Sequence, residues 1–334
     1  MSIDLPLIWA LLIAFAVLAY VVMDGFDLGI GILFLFIEGK ADRDAAMTSV
    51  APVWDGNETW LVLGGGGLFA VFPLAYAIIM PALYAPVIAM LLGLVLRGVA
   101  FEFRWKTERG KFVWDWAFAV GSTVAALTQG IMLGALVQGI KVEGRAYAGG
   151  WYDWLTPFSL MTAFALAVGY ALFGACWLIM KTEGGLQRRA FGFAGWLAIA
   201  FIAVIGIISL WTPFLQPQFL HRWFSWPAIL YVAPVPVITA LAAWRLHIAI
   251  RERHEAEPFF ATLVLFALCY CGLGISLYPH IVPPDISIWD AAGPDKSLGF
   301  LLTGAMVLIP IILIYTAYAY WVFRGKVNQR STYH

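Results

Sequence analysis

Charge is what this sequence has least of. Only 12% of its 334 residues are Asp, Glu, Lys or Arg, against about 25% in an average soluble domain, so the chain cannot cover a soluble fold. Cysteine is scarce as well: Cys176, Cys269 and Cys271 all fall inside apolar runs, without paired spacing or a neighbouring histidine. That pattern excludes a disulfide framework and a zinc module. There is no P-loop, no dinucleotide fingerprint and no loop long enough to fold alone. The five histidines, His221, His247, His254, His280 and His334, give no two at matching depth inside a membrane, so a bis-histidine haem is not encoded.

What remains is apolar. Hydrophobic residues make up 62% of the chain, arranged in repeated runs longer than the ~18 residues that read as membrane spans. The fold class is therefore all-α, a polytopic helical membrane protein forming a single transmembrane domain over residues 1–334. Nine segments are expected, roughly 5–37, 48–72, 74–102, 113–140, 156–180, 191–215, 226–250, 258–281 and 299–323. The first is much longer than the ~7–15-residue core of a signal peptide and has no basic head, so it reads as a retained helix. Only Phe72-Pro73 separates the second and third.

The distribution of basic residues decides between eight and nine crossings. With nine, fourteen Lys and Arg fall on one side and four on the other; merging segments two and three weakens that bias. The expectation is an N-terminus outside and a C-terminus in the cytoplasm. Trp151, Trp154, Trp211, Trp223, Trp226 and Trp289 cluster near predicted outer ends, as an aromatic belt does.

Against this background the stretch Trp54-Asp55-Gly56-Asn57-Glu58-Thr59-Trp60 stands out. A carboxylate within a span costs about 2.5–3.5 kcal/mol on insertion scales. Asp24 and Asp27 in segment one, Asp55 and Glu58 in segment two, and Arg97 with Glu102 in segment three are expected at a common depth near the cytoplasmic boundary. Three readings are open. The charges are interfacial, snorkelling and pairing with Arg97; or they form a proton entry path, since one arginine cannot neutralise five acids; or their oxygens hold a divalent cation. Gly64 to Gly67 suggest either close helix approach or a locally opened backbone.

These residues also carry a family resemblance. Met23-Asp24-Gly25-Phe26-Asp27-Leu28-Gly29, the Trp54–Trp60 stretch, the run from Leu63 to Phe69, Arg97-Gly98-Val99-Ala100-Phe101-Glu102-Phe103-Arg104 and Tyr278-Pro279-His280-Ile281-Val282-Pro283-Pro284 together resemble subunit II of the cytochrome bd-type quinol oxidases, including the cyanide-insensitive branch. The tail Tyr320-Trp321-Val322-Phe323 is similar too. The resemblance implies two four-helix bundles plus a peripheral helix. It implies a larger partner, subunit I, carrying haem b, haem d and the quinol site, with small single-helix subunits in some complexes. The whole oxidises quinol and reduces dioxygen to water, taking protons from the cytoplasm of a bacterial inner membrane. Subunit II of such a complex has no haem of its own; some members hold a quinone in a lipid-facing crevice. Asp55 falls on the family's proton-channel carboxylate, Asp24 and Asp27 on its acidic pair, and Arg97 on its interfacial arginine. A purely structural assembly subunit and a proton-coupled transporter are the alternatives, the latter lacking visible repeat symmetry.

Overall fold

The computed structural model describes residues 4–327; His334 and Arg330 lie outside them. The chain runs α1 (Leu5–Leu33), α2 (Lys40–Thr48), α3 (Trp54–Val71), α4 (Pro73–Ala82), α5 (Tyr84–Lys106) and α6 (Lys111–Gln138). A hairpin of β1 (Val142–Glu143) and β2 (Ala146–Tyr147) leads to α7 (Pro157–Lys181) and α8 (Gly184–Trp211). Next come α9 (Pro217–Phe224), α10 (Ala228–Val232), α11 (Pro234–Arg251) and α12 (Glu257–Leu277). A second hairpin, β3 (His280–Val282) with β4 (Ile286–Ser287), precedes α13 (Ile288–Ala291) and α14 (Asp295–Val322).

Among the described residues, eight helical stretches are long and apolar enough to cross a membrane, and α3 with α4 forms a ninth, bent candidate. The bend corrects the expected third segment, 74–102. Instead of one helix, the chain forms α4, turned 119° from α3, and then α5. Proline explains the break. Pro73 opens α4, Pro81 lies inside it and Pro86 sits in the first turn of α5, where a missing N–H costs nothing. The start of segment two also shifts, because residues 40–48 form the separate helix α2 and the span begins at Trp54.

Contacts between helix ends sort them onto two membrane faces. On the near face, where α1 begins, the Trp9 indole donates to Leu298 O and the Gly293 amide to Val71 O. The Ile140 amide donates to Pro283 O, tying α6 to the second hairpin. On the far face, Lys181 Nζ at the end of α7 donates to Phe323 O after α14, and Arg245 of α11 pairs with Glu257 of α12. In the interior α1 packs on α3, α6 and α7, α5 on α6, and α7, α8, α11 and α12 on one another in a ring; α14 touches α1 and α3 lightly. Glycine sets the closest crossings. A Cβ on Gly29 would stand 1.8 Å from Tyr170 O, and one on Gly121 would stand 2.5 Å from Gly93 O, so backbones meet there as in small-residue membrane interfaces.

Candidate functional site

The far-side half of α1 carries Asp24 and Asp27, and α5 carries Arg97, all three fully buried. Asp24 lies nine residues before the end of α1, and Arg97 nine before the end of α5. Both are thus roughly 14 Å inward of the helix ends at 1.5 Å per residue. That is deeper than the boundary position expected when the third span was taken to start at Leu74.

Arg97 Nη1 donates to Asp24 Oδ1 at 2.6 Å and Nη2 to Glu58 Oε2 at 2.8 Å, so one guanidinium joins α5 to α1 and to α3. The Glu58 side chain is 27% exposed, whereas those of Asp24 and Arg97 are sealed. Asp27 is reached through Asn57, whose Nδ2 donates to Asp27 Oδ2 at 2.7 Å and to Met23 O at 3.2 Å. The Tyr320 hydroxyl of α14 in turn donates to Asn57 Oδ1 at 2.8 Å. Tyr20, one turn before Asp24 and also buried, accepts from Gln129 Nε2 at 2.7 Å, and the Tyr170 hydroxyl donates to Gln129 Oε1 at 2.9 Å. Among the described residues, Asp24 Oδ2, Asp27 Oδ1 and Arg97 Nε have no hydrogen-bond partner. Buried polar atoms of this kind are satisfied by internal water, so the cluster is chemically suited to holding a short water chain.

The structure thus brings together Asp24, Asp27, Glu58 and Arg97, and leaves Asp55 and Glu102 outside. Asp55 is exposed in the first turn of α3, where an acid is favourable at the positive helix end. Glu102 is exposed and lies 3.8 Å from Lys106 as an i,i+4 surface pair. Helix geometry is the reason: five residues past Arg97, Glu102 is rotated about 140° around the axis, away from α1 and α3.

A second charged layer was not anticipated. Arg104, buried two turns beyond Arg97, donates to Asp115 Oδ1 and Asp44 Oδ1, both at 2.6 Å. Arg43 reaches Asp115 Oδ2 at 3.0 Å, and the Arg104 guanidinium lies 5.4 Å from the Phe34 ring centre. This layer ties α2, α5 and α6 together at the far face. Arg104 was visible in sequence as the last residue of its block, but its partners were not, since Asp44 is 60 residues away.

Of the four glycines in α3, a Cβ on Gly64 or Gly67 would touch Val17 or Ile13 of α1 at 3.2 Å, while Gly65 and Gly66 face open space. Close approach therefore accounts for two, and nothing among the described residues accounts for the other two. The helix continues unbroken through all four.

For a metal or haem the donors do not fit. His221, His247 and His254 are exposed and His280 is half-buried in its hairpin. No group of three His, Cys, Asp or Glu among the described residues is placed to hold a metal ion. The oxygens around Arg97 are turned to a guanidinium and an amide, not to a common centre.

Fold and site together define a polytopic helical membrane protein whose interior holds an ion-paired, hydrogen-bonded acid cluster. The family model for cytochrome bd terminal oxidase subunit II matches residues 5–323. Subunit 2 of the cytochrome bd-I ubiquinol oxidase of Escherichia coli K12 is 30% identical, over 98% of this chain and 96% of that protein. Subunit 2 of the Bacillus subtilis cytochrome bd ubiquinol oxidase is 27% identical, over 97% of each. The bd oxidase structure from Geobacillus thermodenitrificans shares the fold, with a TM-score of 0.76 at 17% identity, over 97% of this chain and 100% of that one. The chain belongs to the cytochrome bd terminal oxidase subunit II family. It is thereby a multi-pass membrane component of a terminal oxidase complex.

Proposed function

We propose that this chain, as the second subunit of a bacterial quinol oxidase, leads protons from the far face toward its partner. Its route runs through Asp55, Glu58, Asp24 and Asp27, with Arg97 holding the acids in register. The far face is the cytoplasmic one on this reading, as the basic residues suggest, and the N-terminus lies outside. Haem b and haem d are assigned on this reading to the partner, subunit I, as the family resemblance implies. Quinol oxidation and dioxygen reduction take place there, and quinol is the substrate carried by the relatives' names.

The supporting observation is a gradient of exposure. Asp55 meets solvent, Glu58 is partly open, and Asp24 and Asp27 are fully buried. Arg97 joins Glu58 to Asp24, and Asn57 joins Asp27 to Tyr320. A carboxylate accepts a proton at the open end, and the unpartnered atoms Asp24 Oδ2 and Asp27 Oδ1 give water places to carry it inward. Arg97 stays charged throughout and offsets part of the cost of burying the acids. The Arg104 layer closes the middle of the far face with side chains already committed to one another, which leaves the α3 edge as the way in.

The test is oxygen consumption per haem by the assembled complex carrying Asp24→Asn or Asp55→Asn. Asp24→Asn is expected to lower turnover at least tenfold with full haem content. Unchanged turnover at full haem content would sink the path. One observation favours a second reading, a purely structural subunit: the Arg97 pairs join three helices. It predicts that the same variants lose haem and assembly while turnover per remaining haem holds. Family membership favours both readings over a transporter.

A further inference from the structure

Arg222 differs from the other arginines that tie this molecule together. Arg43, Arg97, Arg104, Arg189 and Arg245 each pair with a carboxylate of the same chain. Arg222 has no acidic partner among the described residues, and no Asp or Glu occurs anywhere from Gly184 to Arg251. One of its nitrogens is committed: Nη1 donates to the carbonyls of Ile275, Ser276 and Tyr278 at the end of α12. This pins the side chain at a helix C-terminus, where a cation is favourable. Among the described residues Nε and Nη2 have no protein acceptor, and the Nη1 contacts hold them in place.

Beside Arg222 the surface opens into a crevice of about 670 Å3 between α10 and α12. Ala228 and Tyr231 line one wall, Gly274, Ile275 and Tyr278 the other, and no acidic side chain lines it. The level is that of the near-face headgroups. The Trp223 indole donates to Ser276 Oγ nearby at 3.0 Å, and Phe224, Trp226 and Tyr231 are widely exposed, as aromatic residues are at a membrane interface. α9 lies across this level, with Phe219 buried beneath it.

We propose that this crevice is a binding site for one phospholipid of the near leaflet, its phosphate taken by the free edge of the Arg222 guanidinium and an acyl chain laid along the apolar walls. A planar fork of two N–H donors matches two phosphate oxygens. A quinone offers only neutral carbonyls and needs no unpaired cation beside an acid-free wall. Bound there, the lipid adds to the hydrogen bonds by which Arg222 and Trp223 already join α9 to the end of α12.

The whole oxidase complex, purified in mild detergent without added lipid, provides the test through native mass spectrometry and extraction of phospholipid and quinone. The wild type is expected to retain one phospholipid per complex that Arg222→Gln loses and Arg222→Lys holds in part. Gly274→Phe should lose it too: a Cβ at Gly274 meets no protein atom within 4 Å, so the ring is directed into the crevice that Gly274 lines, and the Arg222 side chain itself is unchanged. Equal phospholipid counts in wild type and Gly274→Phe would overturn the proposal, and so would a quinone as the molecule lost. Should Arg222→Gln fail to assemble, the Gly274→Phe count decides alone.

Discussion

α1 has two sides, and they teach different lessons. Toward α3 and α5 it presents Asp24 and Asp27 to a guanidinium and an amide. Toward α7 and α12 it presents Phe26, stacked on Trp177 with ring centres 4.2 Å apart and edge-on to Phe173 and Phe259 at 5.8 Å. The aromatic side continues through Phe173, Phe266 and Phe201 and carries no charged side chain at these positions. A helix turns about 100° per residue, so Phe26 points well away from both acids only two residues and one residue distant. Polar and apolar interiors are thus built on one helix by phase alone, and they fail in different ways. An apolar core loses energy in proportion to what is removed, whereas a charged one loses it by leaving a partner unpaired.

The comparison breaks most visibly at Arg97. Arg97→Gln strands Asp24 and Glu58 and is expected to cost about 3–5 kcal/mol, read as loss of assembled, haem-containing complex and a lower Tm. On the aromatic side Phe173→Ala should also cost about 3–5 kcal/mol, through the cavity it leaves, yet turnover per haem in the surviving complex should stay near wild type. A fall in turnover there would mean that the aromatic half is not a passive support.

Tyr320→Phe sharpens the boundary between the two sides, because Tyr320 touches Asn57 and also packs edge-on to Trp177. Loss of its one hydrogen bond should cost about 1 kcal/mol and lower turnover two- to threefold, measured as oxygen uptake per haem. Smaller still is the effect at the tail. Lys326 and Gln187 donate to Glu255 at 2.8 and 3.0 Å, and these bonds hold the Glu255 carboxyl below the usual carboxylate range. A depressed carboxyl stabilises the folded form above its unfolded value, near about 4.3, and loses that contribution as pH falls further. The protection factor of the Val327 amide, which donates to Lys181 O, read against the intrinsic exchange rate at each pH, should therefore fall on acidification below that value, and less so in Glu255→Gln. Glu102→Gln should change stability by under about 0.5 kcal/mol, as suits an exposed surface pair; a large effect would show that a partner subunit covers it.

Much of the site was legible because burying charge in a membrane is expensive. An acid in an apolar run announces itself, and so Asp24, Asp27, Glu58 and Arg97 were recognisable as one group. Asn57 was in view within the same stretch, but an amide carries no charge to mark it, and its link to Tyr320 spans 263 residues. The same holds for Gln129 with Tyr20 and Tyr170. Glu102 was drawn in by depth alone; adding its rotation relative to Arg97 would have placed it outside. The α4 bend had its signal in Pro73, Pro81 and Pro86, whose spacing argues for a broken span more strongly than hydropathy argues for a continuous one.

Composition and the spacing of apolar runs by themselves determined that this is a helical membrane protein. They also marked nine candidate crossings, where the described residues form eight spans and one bent pair, and they marked Asp24, Asp27, Glu58 and Arg97 as charges among the helices, since each of these follows from the cost of placing a residue in hydrocarbon. Tertiary structure alone decided which carboxylate meets Arg97, which one meets Asn57, and that Arg104, not Glu102, anchors the end of α5. Pairing depends on helix rotation and crossing, and those are set where glycines such as Gly29 and Gly121 let two backbones close to contact.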